Sequence, residues 1–490
     1  MPRLNSPEEC AQSPSPFACK ARVRASAYRA CFSGLAAILC TLGFSCGGAE
    51  TPGAASPSES GPKRVIVLVI DALNADHLGS YDPRPNKRVD LTPHIDAIAA
   101  EGRRFTNAIS NNTWTLPSTT SLMTGLLQEN HKVTRREGVV PLSADLLPER
   151  FQDAGWKTRS FVQMTYASKL YGFDQGFDET SEYGFGGGPG RANMAGEVVQ
   201  WMEDNADERY FLYLHFRRPH GVYNAPASVR ARVTPSCVLA GTQRGAELEA
   251  SQDFAWMELT DDEKKHVRHL YRANLATVDQ TLGPILELAR APETLLVVTS
   301  DHGEGLGEHD FYGHGPSVYR ENIHIPLIYR GPGVQVGVDQ GLASTVDLRP
   351  TLMEMCELWE PASIKSDGGS LARRLAGEEL PPDAEPVRFS SRYGTGRAPS
   401  VGLMTVDATM FVGPLGELHL FGNATDLEQR LDWGAMTDDE GCDPSWLAML
   451  PGLRERQQAY AYLSEAPSGE APQLTAEDRA DLKALGYAGD

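Results

Sequence analysis

Two acids and an imidazole stand where this chain is best placed to do chemistry. Asp71 directly follows the β-branched run in "KRVIVLVIDAL", and Asp301 and His302 directly follow the run in "TLLVVTSDHGEGLG". Two carboxylates and one imidazole make a hard-to-borderline donor set, suited to Mn, Ca, Mg or Zn. A third stretch, "NNTWTLPSTTSLMTG", puts Thr115 where a helix begins, with Pro117 in its first turn. A hydroxyl there either caps the helix, accepting from an orphan backbone N–H, or faces the positive end of the helix dipole, which favours alkoxides, phosphates and sulfates. Beside a divalent ion, the Thr115 hydroxyl would ionise more easily and be oriented for in-line attack on a tetrahedral phosphoryl or sulfuryl centre. His220 in "PHGVY" and His314 in "GHG" are imidazoles that can then donate to the ester or leaving oxygen. Each residue alone has an ordinary alternative: an aspartate after a strand often caps the next helix, and loop histidines are often only solvated. Arg217 and Arg218, beside "PH", can bind an anion or form a solvated pair.

Residues this far apart in sequence meet only if the elements before them deliver them to one place. The runs ending at Asp71 and Asp301, and the run in "RYFLYLHFRRPHGVY", are continuous and apolar, the pattern of parallel strands buried on both faces. Amphipathic segments lie between them: "DLTPHIDAIAAEG", "SADLLPERFQDAG" and "LYRANLATVDQTLGPILELAR". Alternating strands and helices predict an α/β sheet covered on both faces, whose strand ends open on a shared crevice. "QGLASTVDLRPTLMEMCELW" reads as a last strand and helix. Beyond it "VGLMTVDATMFVGPLGELHLFG" alternates like antiparallel strands, and "TAEDRADLKALGYAGD" closes with a short helix. The expected organisation is an export signal over 1–46, a disordered linker over 47–62, a catalytic α/β domain over 63–374 and a smaller C-terminal subdomain over 375–490. "YNAPASVRARVTPSCVLAGTQRGAELEASQDFAWMELTDDEK" shows no readable period and is expected to be a pocket-lining segment that sets specificity.

The leader differs from the rest. Arg22, Arg24 and Arg29 precede the apolar "CFSGLAAILCTLGFSC", and a Gly/Pro/Ser-rich tether follows. The run is short for a transmembrane helix and resembles a bacterial lipoprotein signal ending at Cys46, although Leu42 sits one place further from that cysteine than usual. Five of the eight cysteines lie in this leader, leaving Cys237, Cys356 and Cys442, which make neither a disulfide framework nor a CxxC zinc site. With 41% hydrophobic residues in 490, the chain can bury a sizeable core without either. Its net charge of −20 argues against nucleic acid or an anionic membrane surface as partner. An anionic substrate then needs a local metal or a basic pocket.

Seven stretches resemble, in order, the landmarks of the sulfatase family of the alkaline-phosphatase superfamily: "VIDALNADHLGSYD", "TLPSTTSLMTG", "LHFRRPHGVY", "TSDHGEGLGEHDFYGHG", "YRENIHIPLIYRGPG", "STVDLRPTL" and "DGGSLARRLAG". The resemblance implies an alkaline-phosphatase-like, mostly parallel sheet with helices on both faces and a small C-terminal α+β subdomain. It implies one divalent metal ion, Mn or Ca before Mg or Zn, on Asp71, Thr115, Asp301 and His302. Thr115 falls on the nucleophile position, His220 on the histidine that contacts the ester group, and His314 on a landmark near the leaving group. Three departures shape the expectation. Threonine at 115 resembles neither residue that is oxidised to formylglycine, so none is expected; the signature arginine is Thr119; and the second of the usual paired aspartates is Ala72. What remains resembles the threonine-nucleophile sites of lipoteichoic-acid synthases and phosphoethanolamine transferases. The expected protein is an exported, periplasmic or cell-surface hydrolase of sulfate or phosphate (di)esters on a small molecule, glycan or lipid, touching the membrane only through a lipid anchor at Cys46. A phosphoryl-group transferase and a non-catalytic binding relative are the alternatives.

Overall fold

Strand β1 (Arg64–Ile70) is buried along both faces, which only a central position in a covered sheet allows. The computed structural model describes residues 61–82, 90–183, 193–233, 238–251, 257–359, 364–379, 386–391, 399–423 and 444–463, and Thr475. The leader with Cys46, the tether and nearly all of the closing "TAEDRADLKALGYAGD" therefore lie outside the described residues, as do Cys237 and Cys442. From Ser56 onward the chain forms one compact unit.

The strands that follow are β2 (Arg103–Ile109), β3 (Lys157–Val162), β4 (Glu179–Glu182), β5 (Tyr210–Phe216), β6 (Thr294–Thr299), β7 (Gly305–Leu306), β8 (Tyr312–Gly313), β9 (Leu327–Arg330) and β10 (Gly337–Ser344). Eight of these ten build the main sheet, in the order β10-β2-β9-β6-β1-β5-β3-β4. Only β9 runs against the others. Val65, Val67 and Val69 face one core with Phe211, Tyr213, Leu295 and Val297, whereas Ile66, Leu68 and Ile70 face the other with Leu212, Leu214, Leu296 and Val298. Helix α1 (Pro93–Glu101) and the long helix Asp261–Leu288 cover the second face through Ile95, Ile98, Val278, Leu282 and Ile285. Helix α2 (Thr115–Thr124) and helix Leu147–Asp153 cover the first through Leu116, Leu122, Leu147 and Phe151.

The remaining strands, β11 (Val387–Ser391), β12 (Ser400–Met404), β13 (Ala408–Val412) and β14 (Leu418–Gly422), form a separate antiparallel sheet. The two architectures read from the pattern, a covered mostly parallel sheet and a small antiparallel C-terminal layer, are the ones present. The segment without readable period differs from a plain loop: it contains helices Ala227–Val233 and Gln243–Ala250. Their signals are short and charged, and the apolar faces they present, Val229 and Leu248, acquire meaning only against neighbouring elements.

A second correction concerns α2. Thr115 is its first helical residue rather than its cap; Trp114 occupies the cap position in extended conformation and gives no side-chain bond. The side chain of Thr115 turns instead toward the sheet. Helix α2 is braced from behind by His131, the last residue of α3 (Gln128–His131). Its Nδ1 accepts the Val133 N–H at 3.0 Å, and its Nε2 lies 3.1 Å from Ser121 Oγ. Burial pushes His131 down to about 3, so it stays neutral in the fold while an unfolded histidine protonates near 6.5. The unfolded chain then binds the extra proton, and stability falls as pH drops below about 6.5. The melting temperature is expected to decline between about pH 7 and 5, and His131→Gln to melt lower at pH 7 with a shallower decline. A variant as steeply acid-sensitive as the wild type would assign the decline to other groups.

Candidate active site

The ends of three neighbouring strands meet at one point. Strand β1 pairs in parallel with β5 on one side and β6 on the other, so Asp71, Arg217 and Ser300–His302 leave the sheet side by side. Asp71, Asp301 and His302 are fully buried, and their ligand atoms lie within 4.8 Å of one another. His302 Nε2 is 3.4 Å from Asp71 Oδ1, 3.5 Å from Asp301 Oδ2 and 3.4 Å from Thr115 Oγ1. The loop between β2 and α2 therefore delivers the fourth sequence-assigned residue to the same point.

The hydrogen bonds around this point decide its electrostatics. His302 Nδ1–H donates to the Gly303 carbonyl at 2.8 Å, which leaves Nε2 of a neutral ring with a lone pair. Neither oxygen of Asp71 nor Oδ2 of Asp301 finds a donor, although all are buried. Burial and the facing Asp301 push Asp71 well above the ordinary carboxylate range. Burial works on Asp301 as well, but His302 and His215, with the N–H groups of Ala72 and His302 on Oδ1, hold it below that range. Lone pairs converging without a donor repel one another, and a cation among them removes the penalty. The donor set of carboxylates, imidazole and hydroxyl fits one divalent ion.

Adjacent turns are locked to hold this geometry. Ala72 sits at φ 58°, its carbonyl accepts from the Tyr271 hydroxyl at 2.9 Å, and the same hydroxyl accepts the Asn74 N–H at 3.1 Å. Asn74 bridges to the β6 loop twice, through the Glu304 carbonyl and N–H at 2.8 and 2.6 Å. Gly303 is required by this approach: a Cβ there would stand 2.1 Å from the Glu321 carbonyl oxygen. Ser300 Oγ lies 2.7 Å from the Ile70 carbonyl and accepts the Leu73 N–H at 2.9 Å, and the Ser110 hydroxyl donates to the Asp301 carbonyl.

The two remaining histidines lie beside this centre, His314 against His302 and His220 against His314. The ring of His314 lies 4.3 Å from that of His302 and 4.7 Å from that of His220. His220 Nδ1–H donates to the Gly221 carbonyl at 2.6 Å, and burial, with His314 and Arg217 nearby, lowers its basicity well below the usual histidine range. His314 Nδ1 faces Glu304 Oε1 at 3.1 Å. Its loop is clamped to the nucleophile loop by Gly315, whose N–H donates to the Thr113 carbonyl at 2.8 Å and whose carbonyl accepts from Thr113 Oγ1 at 2.5 Å. Arg217 is buried here and bonds to the Gly221 carbonyl, whereas Arg218 turns to Asn224 at 2.8 Å.

Glu304 and His215 join the site only through the tertiary structure. Glu304 stood in the "DHGE" stretch, and His215 interrupted an apolar strand; a buried polar residue in such a run was the available signal.

Residues 63–357 match the family model described as Sulfatase. The chain belongs to the sulfatase family of ester hydrolases. A choline-sulfatase from Rhizobium meliloti is 22% identical to this family member over 402 residues, 70% of this chain and 77% of the relative. Bovine (Bos taurus) arylsulfatase K is 24% identical over 354 residues, 61% of this chain; the chain spans slightly under two thirds of that relative, 64%. Among solved structures, the phosphonate monoester hydrolase of Agrobacterium radiobacter shares the fold with a TM-score of 0.66 at 20% identity, over 82% of this chain and 97% of that one.

If the converging carboxylates form a metal site, Asp71→Asn has two opposed effects. Without metal, removing an acid whose folded pKa is raised relieves a penalty that grows as pH rises through that pKa, so the variant melts about 2 °C or more above wild type at pH 8 in chelator. Added manganese raises the melting temperature of the wild type and not of Asp71→Asn. Differential scanning calorimetry of both proteins, with and without metal, measures each effect.

Proposed function

We propose that this protein is an exported, metal-dependent hydrolase of phosphate or sulfate esters that uses Thr115 as nucleophile. The observation that carries this reading is the placement of Thr115 Oγ1 at the first turn of α2, 3.4 Å from His302 Nε2 and beside two buried carboxylates with three oxygens that lack donors. Asp71, Asp301 and His302 would hold the divalent ion, and when bound it would lower the Thr115 hydroxyl pKa and neutralise charge on the substrate oxygens.

The side chains divide the rest of the work. Thr115 Oγ gives its proton to solvent water and forms a bond to phosphorus or sulfur while the bond to the ester oxygen breaks, and the N-terminus of α2 faces the charge that develops. The leaving oxygen takes a proton from the Nε2 side of His314, whose Nδ1 is held by Glu304. His314, having given up that proton, accepts one from the attacking water in the second step, while His220, kept neutral by burial with its Nδ1–H on the Gly221 carbonyl, helps to orient the reacting oxygens. That step must be attack at phosphorus or sulfur, because a threonine adduct lacks the second hydroxyl through which a formylglycine hydrate expels sulfate. This favours phosphoryl-type turnover among the ester classes that the family covers. Small anionic esters, or glycans and lipids carrying one, are the proposed substrates. Cys46 is proposed as the lipid anchor of an exported chain; among the described residues no helix is long and apolar enough to cross a membrane.

The test pairs an aryl phosphodiester with an aryl sulfate, in manganese or calcium. Phosphodiester turnover is expected, with Thr115→Ala lowering it by roughly three orders of magnitude or more and Thr115→Ser retaining a measurable part. Threonine-dependent sulfate cleavage would instead show sulfatase chemistry without formylglycine. Full turnover by Thr115→Ala would remove the proposed nucleophile, and silence on both substrates would favour transfer to an acceptor alcohol.

A further inference from the structure

A buried histidine that none of the steps above uses points at the candidate metal carboxylates from within the sheet. His215 is the penultimate residue of β5, fully buried, and pairs with Val69 of β1 on one side and Val162 of β3 on the other. Residues two apart on a strand share a face, so His215 lies on the side of Phe211 and Tyr213, the face that α2 covers. Its Nδ1 is 3.0 Å from the Tyr213 hydroxyl, and its Nε2 is 3.7 Å from Asp301 Oδ2.

The chemistry of the two neighbours fixes the tautomer. A carboxylate oxygen only accepts, whereas a phenol can donate, so a neutral ring is satisfied with its proton on Nε2 and with Nδ1 accepting from Tyr213. His215 Nε2 and Asp301 Oδ2 have no other hydrogen-bond partner. The 3.7 Å separation is a charge–dipole contact that a small rotation of the carboxylate closes to a hydrogen bond. His215 does not join the mutually close group formed by Asp71, Asp301 and His302, so it reaches the carboxylate rather than the point where the ligands converge. Position 119 on the facing helix is a buried threonine, so α2 brings no charge of its own to this carboxylate.

We propose that His215, oriented by Tyr213, is the positioning residue that holds Asp301 as a ligand for a divalent cation. The inference rests on the metal-dependent reading of the same site. Partners of this kind fix the orientation and basicity of a ligand, and their loss weakens metal binding without removing a ligand atom.

Titration calorimetry of the full chain with manganese chloride tests it. His215→Leu is expected to weaken manganese binding about ten- to a hundredfold. His215→Gln, whose amide N–H can take the place of Nε2–H, restores most of the loss, and Tyr213→Phe weakens binding by a smaller factor. Electron spin echo measurements on bound manganese should show one coordinated imidazole nitrogen in both wild type and His215→Leu. Wild-type affinity in a folded His215→Leu chain, checked by circular dichroism, overturns the inference and leaves the metal-dependent reading standing. Loss of an imidazole coupling in that variant also overturns it, by making His215 a ligand. A wild-type chain that binds no manganese, calcium, magnesium or zinc overturns both. Should His215→Leu not fold, Tyr213→Phe and His215→Gln carry the same comparison.

Discussion

Lone pairs aimed at one buried point, with too few donors to satisfy them, are the constraint around which this protein is built. Both oxygens of Asp71 and Oδ2 of Asp301 lack a hydrogen-bond partner, and Nε2 of His302 meets the hydroxyl of Thr115. Left alone, such a group costs stability, because burial removes the water that would satisfy each atom. It persists because each residue is tied elsewhere: His302 by its Nδ1–H to its own loop carbonyl, Asp301 through Oδ1 to two backbone N–H groups, and Asp71 by its backbone N–H to β5. A cation held among these atoms would remove that cost.

The sheet supplies the rigidity this requires. Strands β5, β1 and β6 run parallel in adjacent positions, so one edge of the sheet receives their three C-terminal ends in a fixed spacing. Cross-links between the loops finish the placement. Tyr271 from the long helix holds the Ala72 turn, Asn74 joins that turn to the β6 loop, and Thr113 clasps Gly315 so that the His314 loop follows the nucleophile loop. The C-terminal sheet takes part as well: Ser391 at the end of β11 donates to the Gly315 carbonyl.

The departures from the family's usual residues have a physical consequence in common. Ala72 removes a carboxylate, Thr119 removes a cation, and Thr115 replaces a residue that can be oxidised to an aldehyde hydrate. Charge is thus reduced with both signs, which keeps the local balance, and the burden of orienting Asp301 passes to neutral donors. In the proposed reading the same substitutions turn the second half of the cycle from elimination into displacement, so histidine lone pairs near the nucleophile matter more than they would beside a hydrate.

Local pattern alone determined the covered parallel sheet, the alternating C-terminal strands and the three strand-end residues, because a two-faced apolar run followed by an acid is a statement that a dozen neighbouring residues make together. Thr115 was also legible, through proline in the first turn, although the capping expected of it is not realised, since one residue of helix phase decides where its hydroxyl points. The pairing of Glu304 with His314, the Tyr213–His215 contact with Asp301 and the brace from Tyr271 were settled by tertiary structure only. The last two join elements distant in sequence, the first depends on how one loop folds back on itself, and nothing in the local sequence distinguishes a buried strand histidine with a carboxylate partner from one merely packed among aromatics. Which residues carry the chemistry is written in short stretches; which residues aim them depends on the order of strands in the sheet.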